Sequence, residues 1–377
     1  MAFKLEIYFE NLNRFKGNKS KVIMMRLKKL RTQLSEKGLE GILVTSPANY
    51  RYLSGFSGSF ARLLITLQAQ FIITDSRYWE RAKREAPNFT LIQKVRANNQ
   101  KIYPALTELL SQLNLKGPIG FEDREISLSD FRDLEKEIPI DWQGTGSLIT
   151  DLRMIKDQQE IQLIRESVAL NDRVFNSIRE QIVPGVTEKA IKSLIHYRLE
   201  LGGAEMPAFE AIVGSGANAA LPHHASGDKL IADNELVIVD MGGKLKGYCS
   251  DLTRTLLLGE IPDKAREIYQ IVKTAQHLAL EKIGPGLTCG EIDEAARSYI
   301  EEKGYGPNFG HNLGHSLGLE VHEAPSLRPG SDTVLKPGMV LTVEPGIYLP
   351  GMGGVRIEDV VLITENGKEI LSKAPKL

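Results

Sequence analysis

Two aspartates stand in an apolar hairpin at places where core side chains are expected. Asp240 and Asp251 lie eleven residues apart in the segment 237–259, whose pattern predicts two strands around a glycine-rich turn. Asp is depleted in strands, and burying an unpaired carboxylate is costly. If residues 244–247 form a four-residue turn, the two aspartates are directly opposed, with Cβ atoms about 4.5–5.5 Å apart. Like charges so placed repel, so the pair indicates a cation between them.

A second acidic hairpin is predicted nearer the end of the sequence. Glu344 lies in VLTVEPGIY and Glu358 in GVRIEDVV, fourteen residues apart and centred on Gly351. These two glutamates can also face each other, because a longer loop or a bulge adjusts the register of a hairpin. The two hairpins together therefore predict two pairs of carboxylates in otherwise apolar strands.

Histidines between the hairpins change the metal that such a cluster would select. The segment HNLGHSLGLEVHE contains His311, His315 and His322. It lacks the Glu of the helical H-E-x-x-H motif and contains glycines, so a strand or loop is expected. Carboxylates alone favour Ca²⁺, whereas an added imidazole favours a transition metal. Four carboxylates and one histidine could hold two divalent ions about 3.5–4 Å apart, as in two-metal hydrolases. On spacing alone, turn-forming aspartates and surface histidines are an equally open interpretation.

A glycine-rich segment resembles a dinucleotide-binding fingerprint. EAIVGSGANAA (210–220) contains G-x-G-x-x-A after a predicted strand. That motif must open a helix, whereas Pro222 and a polar, non-periodic stretch follow here. We therefore expect a loop that brings His223 and His224 to a cleft, with an ordinary polar loop as the alternative.

The composition is that of an ordinary globular protein. The 377 residues are 42% hydrophobic and 25% charged, with a net charge of −1 that gives no strong field toward nucleic acid or an anionic membrane. No apolar run approaches the roughly 20 residues of a membrane-spanning helix. Residues 1–20 lack a signal peptide and are expected to be a disordered tail. Two cysteines argue against a disulfide framework and predict a cytoplasmic location.

The order of predicted elements divides the chain into two domains. Residues 21–145 begin with an amphipathic helix and alternate helices with buried strands, as in a small α/β domain. The segment 146–155 is expected to be a linker. Residues 156–377 start with a long helix that ends before Pro184, and then combine further helices with the acidic hairpins in an α+β arrangement.

Five separated segments resemble one enzyme family in their order. NAALPHH, DMGGKLKGYCSDLTRT, GHNLGHSLGLEVHEAPSL, LTVEPGIY and GVRIEDVVLI are similar to motifs of the aminopeptidase P and prolidase metallopeptidases. SPANYRYLSGFSGS and FIITDSRYWERA resemble the N-terminal domain of the two-domain members. The resemblance implies a creatinase-type α/β domain followed by a pita-bread domain, the fold shared with methionine aminopeptidase and creatinase.

The resemblance also implies roles for individual residues. The ligands of two divalent metal ions, with Mn expected first and Co, Zn or Fe as alternatives, would be Asp240, Asp251, His315, Glu344 and Glu358. The residues acting on the substrate at the reaction centre would be His223, His311, His322 and Glu344. The residues contacting the substrate or the ligand carboxylates would be His224 and Arg356.

The implied activity is hydrolysis of the bond before proline by a hydroxide that bridges the two ions. The substrate would be a peptide with proline at its second position, and the protein would form a homodimer. Prolidases often place Arg directly after the HExP segment, where this chain has Ser326, with Arg328 two residues later. This difference favours an Xaa-Pro aminopeptidase over an Xaa-Pro dipeptidase, with a non-catalytic pita-bread binding module as a third alternative.

Overall fold

The computed structural model describes residues 20–94, 103–115 and 117–376. The chain divides into two compact units, of which the first ends at Arg153 and the second starts at Met154. Residues 1–19 of the predicted tail lie outside the described ranges. Among the described residues, none of the helices combines the length and the apolar character that crossing a membrane requires.

The first unit is built on one mixed sheet. Its strands are Gly41–Val44 (β1), Arg62–Thr66 (β2), Gln70–Asp75 (β3), Thr90–Lys94 (β4), Ile119–Phe121 (β5) and Trp142–Gly144 (β6). The strand order is β4-β3-β2-β1-β5-β6, with antiparallel pairs only at β1–β2 and β2–β3. Because β1 lies at the centre and is wholly buried, it reads as a continuous apolar run.

Six helices lie within the described residues up to Met154. They are residues 20–36 (α1), Pro47–Ser54 (α2), Trp79–Glu85 (α3), Tyr103–Gln112 (α4), Leu128–Glu137 (α5) and Leu148–Met154 (α6). The helix predicted from Arg26 is confirmed as part of α1, in which Leu27, Leu30 and Leu34 are fully buried. Helix α6 occupies most of the segment 146–155 for which a linker is predicted.

Two pairs of helices accompany the two hairpins of the second unit. They are Gln158–Ile178 (α7), Glu188–Leu201 (α8), Asp263–Lys282 (α9) and Cys289–Glu302 (α10). Asp157 caps α7, and Thr288 caps α10, each in a reciprocal capping box. The long helix predicted before Pro184 is therefore confirmed as α7.

The strands of the second unit form several small sheets. They are Met206–Pro207 (β7), Ile212–Ser215 (β8), Leu236–Met241 (β9), Gly243–Leu245 (β10), Tyr248–Cys249 (β11), Leu252–Leu257 (β12), Gly314–Ser316 (β13), Glu323–Leu327 (β14), Val340–Val343 (β15), Gly346–Leu349 (β16), Gly353–Arg356 (β17), Asp359–Thr364 (β18) and Gly367–Ile370 (β19). The sheet orders are β11-β10-β7, β12-β9-β8, β14-β13-β15-β18-β19 and β16-β17. The segment HNLGHSLGLEVHE, for which a strand or loop is expected, contains both: it includes β13 and the start of β14, with an irregular stretch between them.

The register of the first acidic hairpin differs from the prediction. Lys246 and Gly247 have φ values of 50° and 90°, so the hairpin closes through a tight two-residue turn rather than over four residues. Asp240 consequently pairs with Thr253, and the predicted direct opposition of Asp240 and Asp251 is wrong. Because Asp251 is two residues from Thr253, it remains on the same face as a diagonal neighbour of Asp240.

The register of the second acidic hairpin agrees with the prediction. Val343 pairs with Asp359, and Gly346 pairs with Arg356. Both pairs belong to one continuous register, in which Glu344 faces Glu358. These glutamates lie in the short gaps between strands, where the chain leaves one sheet and enters the next.

Gly314 allows β13 to approach β15 closely. A Cβ on Gly314 would lie 2.0 Å from the carbonyl oxygen of Thr342. We expect Gly314→Ala to lower the free energy of unfolding by about 1–3 kcal/mol, since the strands must separate to admit the methyl group. Chemical denaturation measures this change. Gly310→Ala is the matched control, because its Cβ would meet no atom within 4 Å; equal stabilities of the two variants would contradict the close approach.

Candidate metal centre

Three of the predicted ligands form a compact carboxylate cluster in the second unit. Asp240 lies on β9, Asp251 directly precedes β12, and Glu358 lies between β17 and β18. One ligand oxygen from each lies within 4.8 Å of the others. The two hairpins therefore bring their carboxylates to one place, although more than a hundred residues separate them in the chain.

His315 and Glu344 extend this cluster. The His315 Nε2 atom lies 3.2 Å from Glu344 Oε1 and 3.7 Å from Asp251 Oδ2. His315 comes from β13, and Glu344 from the gap between β15 and β16. All five residues predicted as ligands are thus neighbours in one partly enclosed site, and their role as ligands is taken up below as a proposal.

The negative charge of the cluster is only partly compensated by neighbouring side chains. Burial raises the pKa of Asp251 well above its usual range, and the charges of Glu358 and Asp240 raise it further. Burial and the charges of Glu344 and Asp240 act on the pKa of Glu358 in the same direction. Four carboxylates at such distances cannot all be ionised unless cations lie among them.

Unsatisfied oxygens give an independent indication that the cluster suits a cation. Asp240 Oδ1 and Glu358 Oε1 are buried and have no hydrogen-bond partner among the described residues. Buried polar atoms in proteins are normally paired, and each exception requires an explanation. A set of carboxylate oxygens with one imidazole nitrogen fits a divalent transition metal, so the residues present match the metal that their pattern predicts.

Glu344 differs from the other carboxylates because it is paired with a histidine. Burial alone would raise the pKa of Glu344, but the hydrogen bond and charge of His315 lower it to about 2. Burial would lower the pKa of His315, but the hydrogen bond and charge of Glu344 have the larger effect and raise it. Thr342 Oγ1 also donates to Glu344 Oε1 over 2.9 Å. Glu344 is therefore held ionised and oriented.

A hydrogen-bond chain orients the remaining carboxylates. Arg356 Nη2 donates to Asp240 Oδ2 over 2.7 Å, and Thr253 Oγ1 donates to Glu358 Oε2 over 2.8 Å. Arg356 Nη1 donates to Tyr348 Oη over 2.8 Å, and that hydroxyl lies 2.9 Å from His311 Nε2. Thr253 and Tyr348 were not predicted. The signal for Thr253 was its strand parity with Asp251; nothing marked Tyr348 beyond its position in PGIY.

The three predicted reaction-centre histidines occupy different environments. His311 is bound to Tyr348, and burial lowers the pKa of its imidazole. The His322 ring is exposed and lies 4.4 Å from the His315 ring between centroids. Burial lowers the pKa of His322, and the charges of His315 and His223 add to this effect. His322 and the exposed His223 thus lie at the open side of the cluster.

His224 pairs with Glu188, which is not one of the clustered carboxylates. Its Nε2 atom lies 2.7 Å from Glu188 Oε2, at the start of α8. Glu188 is fully buried and also accepts hydrogen bonds from the Ser215 amide at 2.8 Å and from Asn218 Nδ2 at 3.0 Å. The G-x-G-x-x-A segment forms a short 3₁₀ helix here, not the α-helix of a dinucleotide site. Glu188, which was not predicted, therefore fixes the loop that carries His223.

Comparison with known proteins agrees with this arrangement. A family model described as metallopeptidase family M24 matches residues 162–365, and one described as creatinase/prolidase N-terminal domain matches residues 26–155. The Xaa-Pro dipeptidase of Pyrococcus furiosus is 37% identical over 93% of this chain and 98% of its own length.

Solved structures give the same result over both units. The Xaa-Pro dipeptidase from Bacillus anthracis has a TM-score of 0.90 and 40% identity, covering 94% of this chain and 99% of that one. The X-Pro aminopeptidase from Thermotoga maritima has a TM-score of 0.85 and 38% identity, covering 93% and 98%. The resemblance found in the motifs, and the pita-bread fold it implies, are confirmed. The chain therefore belongs to metallopeptidase family M24 and carries a creatinase/prolidase N-terminal domain before its peptidase domain.

Proposed function

We propose that this metallopeptidase is an Xaa-Pro dipeptidase that uses two divalent metal ions, with Mn²⁺ preferred. The supporting observation is the carboxylate cluster with its two unpaired buried oxygens, together with the dipeptidase names of two relatives that cover the chain almost completely. The proposed metal ligands are Asp240, Asp251, His315, Glu344 and Glu358. The sequence alone favoured the aminopeptidase; these relatives favour the dipeptidase.

An Xaa-Pro aminopeptidase is the second candidate, and one observation favours it. Arg328, the only nearby substitute for the arginine expected after HExP, is exposed and lies beyond β14. An arginine placed there is poorly suited to hold the carboxylate of a dipeptide, and the Thermotoga maritima relative bears the aminopeptidase name.

The residues around the metal ligands suit attack on a bond to proline. Bound cations would supply Lewis acidity at the scissile carbonyl and an activated water. Glu344, which His315 and Thr342 orient, would accept a proton from the attacking water and pass it to the proline nitrogen. His322 and His223, at the open side, donate hydrogen bonds to the developing oxyanion. None of these groups needs an N–H on the scissile bond, which proline lacks.

Two further parts of the proposal concern the cell and the assembly. A cytoplasmic location is supported by Cys249 and Cys289, which are both buried and form no disulfide. A homodimer is carried over from the resemblance to the family.

The substrate assay separates the two candidate activities. The metal-free protein, reloaded with Mn²⁺, Co²⁺ or Zn²⁺, is given an Xaa-Pro dipeptide and the matching Xaa-Pro-Yaa tripeptide, and the release of Xaa is measured. We expect the dipeptide to be cleaved with a kcat/KM at least about tenfold higher, a difference of about 1.4 kcal/mol in transition-state binding. Preference for the tripeptide would make the chain an aminopeptidase, and no cleavage of either would contradict both.

The ligand assignment is tested at Asp251. Asp251→Asn keeps the shape but removes a charge that the cations require, so bound metal and kcat/KM should both fall, the latter more than about 100-fold. Metal content by elemental analysis and peptide cleavage are the measurements. Asp228→Asn is the control, because Asp228 is exposed and its partner Lys189 is 3.8 Å away. Full activity in Asp251→Asn would remove Asp251 from the ligand set.

The role of Glu188 is tested by removing one acceptor. In Glu188→Gln, an amide group would face the amide donors of Ser215 and Asn218, so the free energy of unfolding should fall by about 1–3 kcal/mol and kcat should fall as the loop carrying His223 loosens. Denaturation and steady-state kinetics measure both effects. Lys192→Ala on the same helix removes an exposed ion pair with Glu210 and should change stability by less than about 1 kcal/mol. Equal behaviour of the two variants would contradict this role.

A further inference from the structure

Strand β12 presents consecutive residues to two different environments. Thr253 contacts the carboxylate of Glu358, whereas the next residue, Arg254, is buried on the other side. The Arg254 guanidinium donates to the main-chain carbonyls of Glu358 and of Thr253, the latter over 2.9 Å. It also donates to Asp359 Oδ1 over 2.8 Å. Arg254 therefore fixes the backbone of Glu358 from behind, while Thr253 fixes its side chain.

The segment 371–376, which follows β19, supplies the other partners of Arg254. The Ala374 carbonyl accepts from Arg254 Nη2 over 2.7 Å and from Nε over 3.3 Å. The Pro375 carbonyl accepts from Nε over 3.2 Å, and the Lys376 ammonium pairs with the Asp359 carboxylate. Because a guanidinium is permanently charged, its burial requires this number of acceptors.

The segment is itself held by a residue of α7. Asp172 Oδ2 accepts from the Lys373 amide over 2.8 Å, and its Oδ1 accepts from the Ala374 amide over 2.9 Å. Ser372 Oγ accepts from the Val360 amide on β18 over 2.9 Å. A continuous set of hydrogen bonds thus runs from α7 through the main chain of this segment to Arg254, and from there to the backbone of Glu358.

We infer that residues 374–376 are a positioning element for the metal centre, acting through Arg254 on Glu358. None of them touches the carboxylate cluster directly, so their effect passes through the position of one ligand. Without these residues, Arg254 loses the Ala374 and Pro375 carbonyls and keeps the Asp359 carboxylate as an acceptor. The guanidinium can then shift, and the Glu358 carbonyl that it binds can shift with it. The inference rests on the proposed function, in which Glu358 is a metal ligand.

The test compares metal binding by the full chain and by a variant lacking residues 374–377. Mn²⁺ is titrated into each metal-free protein, and kcat and KM are measured as a function of Mn²⁺ concentration. We expect Mn²⁺ affinity to fall about 10–100-fold, as for other groups that orient metal ligands. At saturating Mn²⁺, the kcat of the deletion variant should return to near that of the full chain, and its KM should stay within about twofold of the full-chain value. A merely structural role would lower the amount of folded protein without changing the Mn²⁺ dependence.

Two further variants keep the test decisive. Arg254→Lys retains the charge but not the fork of donors, and should weaken Mn²⁺ binding in the same way even if the deletion variant fails to fold. Lys373→Ala is the control, since the Lys373 side chain is exposed and its main-chain amide remains; its Mn²⁺ affinity should be unchanged. If the deletion variant folds and binds Mn²⁺ as tightly as the full chain, this inference is overturned while the ligand proposal stands. If the deletion variant does not fold, unchanged Mn²⁺ affinity in Arg254→Lys has the same consequence. If the full chain binds no Mn²⁺, both the ligand proposal and this inference are overturned.

Discussion

Mutual repulsion among buried carboxylates is the constraint on which the second unit depends. Asp251 and Glu358 have raised pKa values because burial and neighbouring negative charges oppose their ionisation. The apolar residues packed on both sides lower the local dielectric, so this repulsion is only weakly screened. A fold that keeps such a cluster must hold it rigidly. Arg356, which binds Asp240, and Thr253, which binds Glu358, are themselves buried. Holding these carboxylates close together therefore lowers the stability of the fold locally.

Much of this arrangement could be read from the sequence because it follows from spacing. Glu344 and Glu358 are centred on a turn, and the strand period alone places them on one face. The first hairpin shows the limit of such reasoning. Its tight turn at Lys246–Gly247 shifted the register by two residues, which preserved the face and lost the opposition. When the register of a hairpin shifts by an even number of residues, each side chain stays on its predicted face of the sheet but is paired with a different residue.

Residues that act through long-range contacts could not be predicted in this way. Glu188 starts a helix, where a glutamate is expected for local reasons, and only the fold shows that it binds His224. Tyr348 lies on a short strand and reads as an ordinary aromatic residue, although its hydroxyl connects His311 with Arg356. Local propensity alone accounts for a glutamate and a tyrosine at these positions, so there was no reason in the sequence to assign either residue a role in the site.

The distribution of the cluster along the chain affects how the protein assembles. Asp240 and Glu358 come from hairpins separated by α9 and α10, so a cation shared between them would join distant segments as a removable cross-link. Such a link restricts the unfolded chain most when the loop it closes is long, and here the loop includes both helices. Loss of the cation would then loosen the whole second half of the peptidase unit, and resistance to proteolysis would report on its occupancy.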